Sequence, residues 1–287
     1  MNYRHIYHAG NFADVLKHAV LALVLEYLKQ KPAPFRVVDT HAGVGVYNLG
    51  SDLAGKTGEW HGGIGRILGP EAEPLPEEIA ALLKPYLDVV WELNASPDGI
   101  AYPGSPEIAR RLLRPSDMLV LNELHPADYA ELAHHYAIYT QARVLNLDAW
   151  VAVKSLLPPP ERRGLILIDP PYEAKDELAR LARALGQALK RFATGTFLLW
   201  YPVKDMPPIE AFHASLAGLG LTKTLRMELY TRAPDTADRL NGCGILAINP
   251  PWILETQLRA LLPFLSERLA NGPGSGWSLQ SGPGPIG

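Results

Sequence analysis

Between Asn11 and Gln30 the apolar residues Val15, Leu16, Ala19, Val20, Leu23, Val24, Tyr27 and Leu28 recur at helical spacing. Asn11 or Asp14 is placed to cap that helix, and Pro32 and Pro34 end it. Phe35 to Val38 then reads as a short buried strand running into Asp39-Thr40-His41-Ala42-Gly43-Val44-Gly45. From Asp52 to Ala101 the texture changes to a glycine-rich run, an acidic proline-broken run, and a helical pattern over Glu77 to Leu93. That stretch reads as an inserted helical subdomain, 52–101, dividing a core made of residues 1–51 and 102–270.

Beyond the insertion the alternation is regular. Ser105-Pro106-Glu107 is a helix start, with serine as N-cap and proline first inside. Strands are predicted at Met118–Leu121, Arg143–Leu147, Leu165–Ile168, Thr196–Tyr201, Thr224–Tyr230 and Ile245–Ile248. Helical patterns over Ala127–Ile138, Asp176–Phe192 and Ile209–Leu219 separate most of them. This order predicts an α/β fold, a seven-stranded mostly parallel sheet covered on both faces and closed by an antiparallel hairpin. After a final helix, Glu255–Leu269, residues 271–287 hold six Gly, three Pro and three Ser and are expected to be disordered. No repeat of solenoid type occurs.

Composition narrows the classes. With 47% hydrophobic and 20% charged residues the chain can bury a core. The apolar run Ala19 to Leu25 stops at Glu26, too short for a bilayer, and the first ten residues lack a secretory layout, so a cytoplasmic location is expected. A single cysteine, Cys243, excludes an internal disulfide and a cysteine-rich zinc site, and is expected in the core. The nine histidines show no metal-ligand spacing, so no metal is expected. A net charge of −3 argues against indiscriminate polyanion binding but leaves room for one local patch.

Ligands of an open parallel sheet bind beyond the carboxyl ends of its strands. There this sequence places Asp39, His41, Gly43 and Gly45, then Asn122 and Glu123, then Asp148, then Asp169-Pro170-Pro171-Tyr172. A glycine turn followed by an acid at the next strand end suits a nucleoside, since glycines admit close backbone approach and a carboxylate accepts both ribose hydroxyls. Position 48 is Asn, so the dinucleotide fingerprint fails, and a cofactor without a pyrophosphate, such as S-adenosylmethionine, fits better. In the Asp-Pro-Pro-Tyr motif, Asp169 and the Pro170 carbonyl can accept both N–H bonds of an adenine amino group and aim its lone pair at a methyl donor. Tyr172 offers a stacking face for the extruded base. Asn249-Pro250-Pro251-Trp252 has the same lettering class after another apolar strand. An antiparallel last strand points its end away from the cofactor turn, so this second motif is expected to be a structural turn capping the last helix.

Several long stretches resemble one family. Tyr3-Arg4-His5, Tyr7 to Asn11, Ala13 to His18, Asp39 to Gly43, Tyr102 to Pro106, Asn122 to Pro126 and Leu157 to Glu173 are similar to the bacterial 23S ribosomal RNA adenine-N6 methyltransferases of the J type. The resemblance implies a class I methyltransferase (Rossmann-like) fold with a small inserted subdomain and S-adenosylmethionine as cofactor. It implies that His18, His41, Gly43, Ser105, Glu123, Asp148, Ala149 and Asp169 line the cofactor pocket, with Asp169, Pro170 and Tyr172 catalytic. Ala149 stands where the family pattern has glycine. Tyr3, His5 and Lys17 would face the RNA, and residues 1–31 are locally basic, with Arg4, Lys17, Lys29 and Lys31 against Asp14 and Glu26. The expected substrate is 23S rRNA, naked or as an early precursor, and the expected state a monomer without membrane or metal. The rivals are a DNA adenine-N6 methyltransferase and a non-catalytic RNA-binding factor of the same fold.

Overall fold

The computed structural model describes residues 4–95, 100–235 and 238–282. In chain order the helices and strands are α1 (Phe12–Lys29), β1 (Arg36–Asp39), β2 (Val46–Asn48), α2 (Asp52–Gly55), α3 (Ile64–Leu68), α4 (Glu77–Leu93) and β3 (Ala101–Pro103). There follow α5 (Ser105–Leu112), β4 (Met118–Asn122), α6 (Pro126–Tyr136), β5 (Ala142–Leu145), α7 (Ala149–Leu156), β6 (Gly164–Ile168) and α8 (Glu177–Arg191). The chain ends with β7 (Thr196–Val203), α9 (Met206–Leu216), β8 (Thr224–Tyr230), β9 (Gly242–Ile248), α10 (Leu254–Arg268) and β10 (Gly276–Ser281).

The main sheet runs β10-β8-β9-β7-β6-β1-β4-β5. Strands β5, β4, β1, β6 and β7 are mutually parallel, and β9 lies antiparallel between β7 and β8. This is the mostly parallel α/β sheet that the alternation predicts, with eight strands where seven were expected. Because side chains alternate across a strand, the sheet carries two cores. Val37, Leu165, Leu167 and Leu198 face α1, α4, α5 and α10, whereas Val38, Ile166, Ile168 and Leu199 face α7, α8 and α9. Each such fully buried aliphatic side chain contributes roughly 1.5–3 kcal/mol.

Three strands escaped the sequence reading. Residues β2 and β3 pair as a two-stranded ribbon at either end of the 52–101 segment. The third is a correction: 276–281, expected to be disordered, form β10 and pair antiparallel with β8. Leu279 packs against the core and the Ser278 hydroxyl donates to Glu228 at 2.8 Å. The alternation of Trp277 and Leu279 with Ser278 and Gln280 was hidden by flanking Gly and Pro. The end of that tail, 283–287, lies outside the described residues.

The 52–101 segment is helical, but its apolar residues have no core of their own. Ile64, Ile67, Ile79, Leu83, Tyr86 and Leu87 join the cluster around α1. With α4 on one side and the sheet on the other, α1 is buried on almost every face, including its polar residues Asp14, Lys17 and His18. An all-round apolar helix requires such enclosure. Those three polar residues therefore had to find partners inside the protein.

Candidate active site

The carboxyl ends of β1, β4, β5 and β6 meet the first turns of α1 over one cavity of about 260 Å³. Its wall includes His5, Lys17 and His18 from the N-terminal segment, and His41 and Gly43 from the turn after β1. Ser105 (α5), Glu123 (after β4), Asp148 and Ala149 (start of α7) and Asp169 (after β6) complete it. Residues far apart in sequence are thus gathered because the parallel strands all end on one side.

Local structure fixes each group. Gly43 and Gly45 have φ of +60° and +88°, and a Cβ on Gly43 would stand 2.1 Å from the Tyr47 hydroxyl. Glycine is required there by both conformation and space. The Gly43 N–H donates to Glu123 Oε2 at 2.8 Å and the His125 N–H to Oε1 at 2.7 Å. A carboxylate has about four acceptor sites, so Glu123 keeps capacity for two ligand hydroxyls. Asp148 caps α7 by accepting from Trp150 and Val151 N–H. Ser105 is not the N-cap of α5, a place taken by Gly104; its hydroxyl donates instead to Asp39 at 2.6 Å.

Beneath the cavity lies a buried charge network. Lys17, only 5% exposed, places its ammonium 2.8 Å from Asp14 Oδ1 and 2.6 Å from Asp169 Oδ2. Asp14 also receives the Gly10 N–H at 2.9 Å and contacts the His5 ring at 3.0 Å. Burial opposes ionisation of Lys17, but the two carboxylates outweigh it and hold the ammonium charged. Burial also presses the Asp14 pKa upward, yet His5 and Lys17 keep it well below the usual carboxylate range. Around this core, burial pushes Asp39 up to about 6 against the bonds from Ser105 and the His41 N–H. It lowers His18 to about 3 and His41 to about 4, so both imidazoles are neutral near pH 7. Oδ1 of Asp169 has no partner among the described residues, leaving one carboxylate oxygen able to accept a hydrogen bond.

Several expected placements change. Lys17, expected to face RNA, is buried under Asp169 and is in no position to touch a phosphate. Tyr172 does not line the cavity; its hydroxyl donates to the Trp200 carbonyl and its ring tilts against Trp200 at 5.7 Å. Its φ of +54° turns the side chain into the sheet-covering layer rather than toward a base. Pro170 is buried, and the motif borders the cavity through Asp169 and Pro171. Tyr3 lies outside the described residues.

Comparison with known proteins bears on this geometry. The family described as ribosomal RNA large subunit methyltransferase D, RlmJ, matches residues 32–280. The ribosomal RNA large subunit methyltransferase J of Escherichia coli (strain K12) is 46% identical over 270 residues, 94% of each chain. Its counterpart from Haemophilus influenzae is 44% identical over 283 residues, 98% of each chain. A solved protein of Legionella pneumophila superposes with a TM-score of 0.85 at 34% identity, covering 96% of this chain and 98% of its own.

The chain belongs to this family. As a large-subunit ribosomal RNA methyltransferase it takes its methyl group from S-adenosylmethionine, and neither the DNA enzyme nor the non-catalytic factor is favoured. The wall of the cavity fits that donor, a sulfonium cation with an ammonium group and an adenosine. Glu123, Asp148, Asp169, Glu173 and Glu177 supply negative charge, and Leu124 and Ala149 add apolar wall. Among the described residues no helix is long and apolar enough to cross a membrane, and no three His, Cys, Asp or Glu side chains converge as a metal site.

For this methyltransferase, sequence reasoning missed Asp14 as the second anchor of Lys17, Tyr47 behind Gly43, and Trp150 and Arg180 on the cavity wall. Asp14 carried a signal: an aspartate three residues before a lysine within an apolar helix needs a partner. Trp150 and Arg180 carried none, since their placement depends on how α7 and α8 pack.

Proposed function

We propose that this protein transfers the methyl group of S-adenosylmethionine to N6 of one adenine in 23S ribosomal RNA. Asp169 is the catalytic acceptor, and the carbonyl joining Pro170 to Pro171 is the second. Supporting this is one observation above the rest: Asp169, with one carboxylate oxygen unengaged, opens into the same cavity as the Gly43 turn, Glu123 and Asp148.

S-adenosylmethionine supplies a methyl group already activated on sulfur. Glu123 would take its ribose hydroxyls, Asp148 and Ala149 would border its adenine, and His18, His41 and Ser105 would complete the pocket. The exocyclic nitrogen of adenine is a poor nucleophile because its lone pair is delocalised into the ring. Accepting both N–H bonds, Asp169 and the proline carbonyl favour the state in which that lone pair faces the methyl group. Lys17 holds the Asp169 carboxylate in one orientation and acts as a positioning residue, while His5 borders the entrance. The base must leave its stack to reach this depth, so the substrate is naked 23S rRNA or an early precursor, and the enzyme works as a monomer in the cytoplasm.

Labelled S-adenosylmethionine offered to protein-free large-subunit rRNA, to the assembled subunit and to DNA tests the reading. Label is expected in N6-methyladenosine of the free RNA. Label only in DNA, only in the assembled subunit, or on another nucleoside overturns it.

A further inference from the structure

The cavity that would receive the adenine is lined by Glu123, Asp148, Asp169, Glu173 and Glu177. Lys17 offers it little relief, since its charge is already shared between Asp14 and Asp169. Such a wall suits a cationic donor and a neutral base and repels phosphates. The strand that delivers the base must therefore carry its phosphates along the rim. On the N-terminal rim the Arg4 guanidinium is already held by Asp128 at 3.3 Å.

The other rim is built differently. A second hollow of about 230 Å³ lies between α7 and α8 and shares Trp150 and Arg180 with the first, so the two adjoin. Trp150, Val153 and Lys154 form one stripe of α7 and Arg180, Arg183 and Gln187 one stripe of α8. These are the i, i+3, i+4 and i, i+3, i+7 spacings of a single helix face. Lys154 and Gln187 are exposed and have no polar partner among the described residues. Among the described residues the acid in ion pairs here is Asp176, with Arg180 at 3.0 Å and Arg183 at 3.8 Å, while Glu177 and Asp148 also attract Arg180. Both pairs are solvent-exposed and therefore weak, and a phosphate can displace them.

We propose that the groove between α7 and α8 is the track for the RNA backbone flanking the extruded adenine, with Lys154 and Arg183 contacting phosphates and Arg180 guiding the strand at the cavity mouth. From Arg180 to Gln187 the helix rises about 10 Å, room for about two successive phosphates of an extended strand. Trp150, at the junction, offers a flat face to a neighbouring base. The inference rests on the RNA reading above.

The test measures binding of a large-subunit rRNA hairpin from about 50 to about 200 mM salt, where phosphate contacts show as a log–log slope of ~0.7–0.9 each. For Lys154→Glu/Arg183→Glu, the dissociation constant and the KM for hairpin should rise about tenfold or more and the slope fall by about 1.5–2. Affinity for S-adenosylmethionine should not move. For Gln187→Lys, which adds a charge to the same stripe and guards against misfolding of the double variant, binding should tighten about twofold or more and the slope steepen by about one contact. Unchanged slopes in the variants that fold overturn the groove, as does an equal loss of cofactor affinity. Methyl transfer to the same hairpin by the unaltered protein is scored separately. If that fails while the variants still change hairpin binding, the catalytic reading falls and the groove stands.

Discussion

Two corners of this protein share the pattern of a short polar residue, two prolines and an aromatic, and they do opposite work. Asp169 follows β6, whose last residue Ile168 is in register with Leu199 midway along β7. Asn249 follows antiparallel β9, whose last residue Ile248 pairs with Phe197 near the start of β7. The corners thus sit at opposite ends of the sheet. At the first, Asp169 faces a charged cavity. At the second, the Asn249 amide donates to the Ala193 and Gly195 carbonyls, both at 2.8 Å, and clasps the turn between α8 and β7. Both carry a positive φ, on Tyr172 (+54°) and on Asn249 (+49°). The difference teaches that strand direction, which the letters do not carry, decides which motif can meet a ligand.

The comparison breaks most sharply at Asp169. In Asp169→Ala, Lys17 keeps its bond to Asp14, so the fold and the cofactor pocket should survive. Methyl transfer should fall about 10³-fold, near 4 kcal/mol, far more than any weakening of cofactor binding seen by calorimetry. Transfer at the normal rate would remove the carboxylate from the mechanism and with it the distinction between the corners.

At the second corner the loss should appear in stability. Asn249→Ala forfeits two hydrogen bonds to backbone carbonyls and places alanine at a left-handed φ that asparagine tolerates better. Together these cost about 2–3 kcal/mol in denaturant unfolding. Turnover of the folded protein should stay within about a factor of two. A variant that folds normally but does not turn over would show that the wrong motif has been assigned to chemistry.

The sheet, its helices and the strand-end acids were legible because each rests on local periodicity or on a motif of adjacent residues. Glu123, Asp148 and Asp169 follow directly from where strands end. What stayed hidden depends on distant segments meeting. Lys17 read as a surface cation because nothing in residues 1–31 shows that α4 will cover α1. The strand β10 was masked by the glycines and prolines around it, which composition counts and register does not. Tyr172 read as a stacking face, but its hydroxyl finds the Trp200 carbonyl of β7, a contact visible only once the strands are laid side by side.

The corners also differ in electrical loading, which sets the smallest expected effect. Around Asp169 lie Asp14, Lys17, Asp39, His18 and His41, whereas Asn249 is neutral at every pH. His18 has a folded pKa of about 3 against an ordinary 6.5, because burial disfavours its charged form. Between those values the unfolded chain binds the proton and the folded one does not. Stability conferred by the neutral ring is therefore complete above about pH 6.5 and declines as pH falls, by up to about 1.4 kcal/mol per pH unit. Asp39, raised to about 6, acts in the opposite sense: the folded state holds its proton longer, so its contribution weakens as pH rises from about 4 to 6. Comparing His18→Gln with the unaltered protein cancels the Asp39 effect, and urea midpoints from about pH 4.5 to 7.5 should depend less steeply on pH in the variant. Asn249→Ala, measured alongside, should be shifted down at every pH but parallel to the unaltered protein. If His18→Gln ran parallel as well, the buried imidazole would not be held neutral, and the first corner would lose the charge asymmetry that separates it from the second.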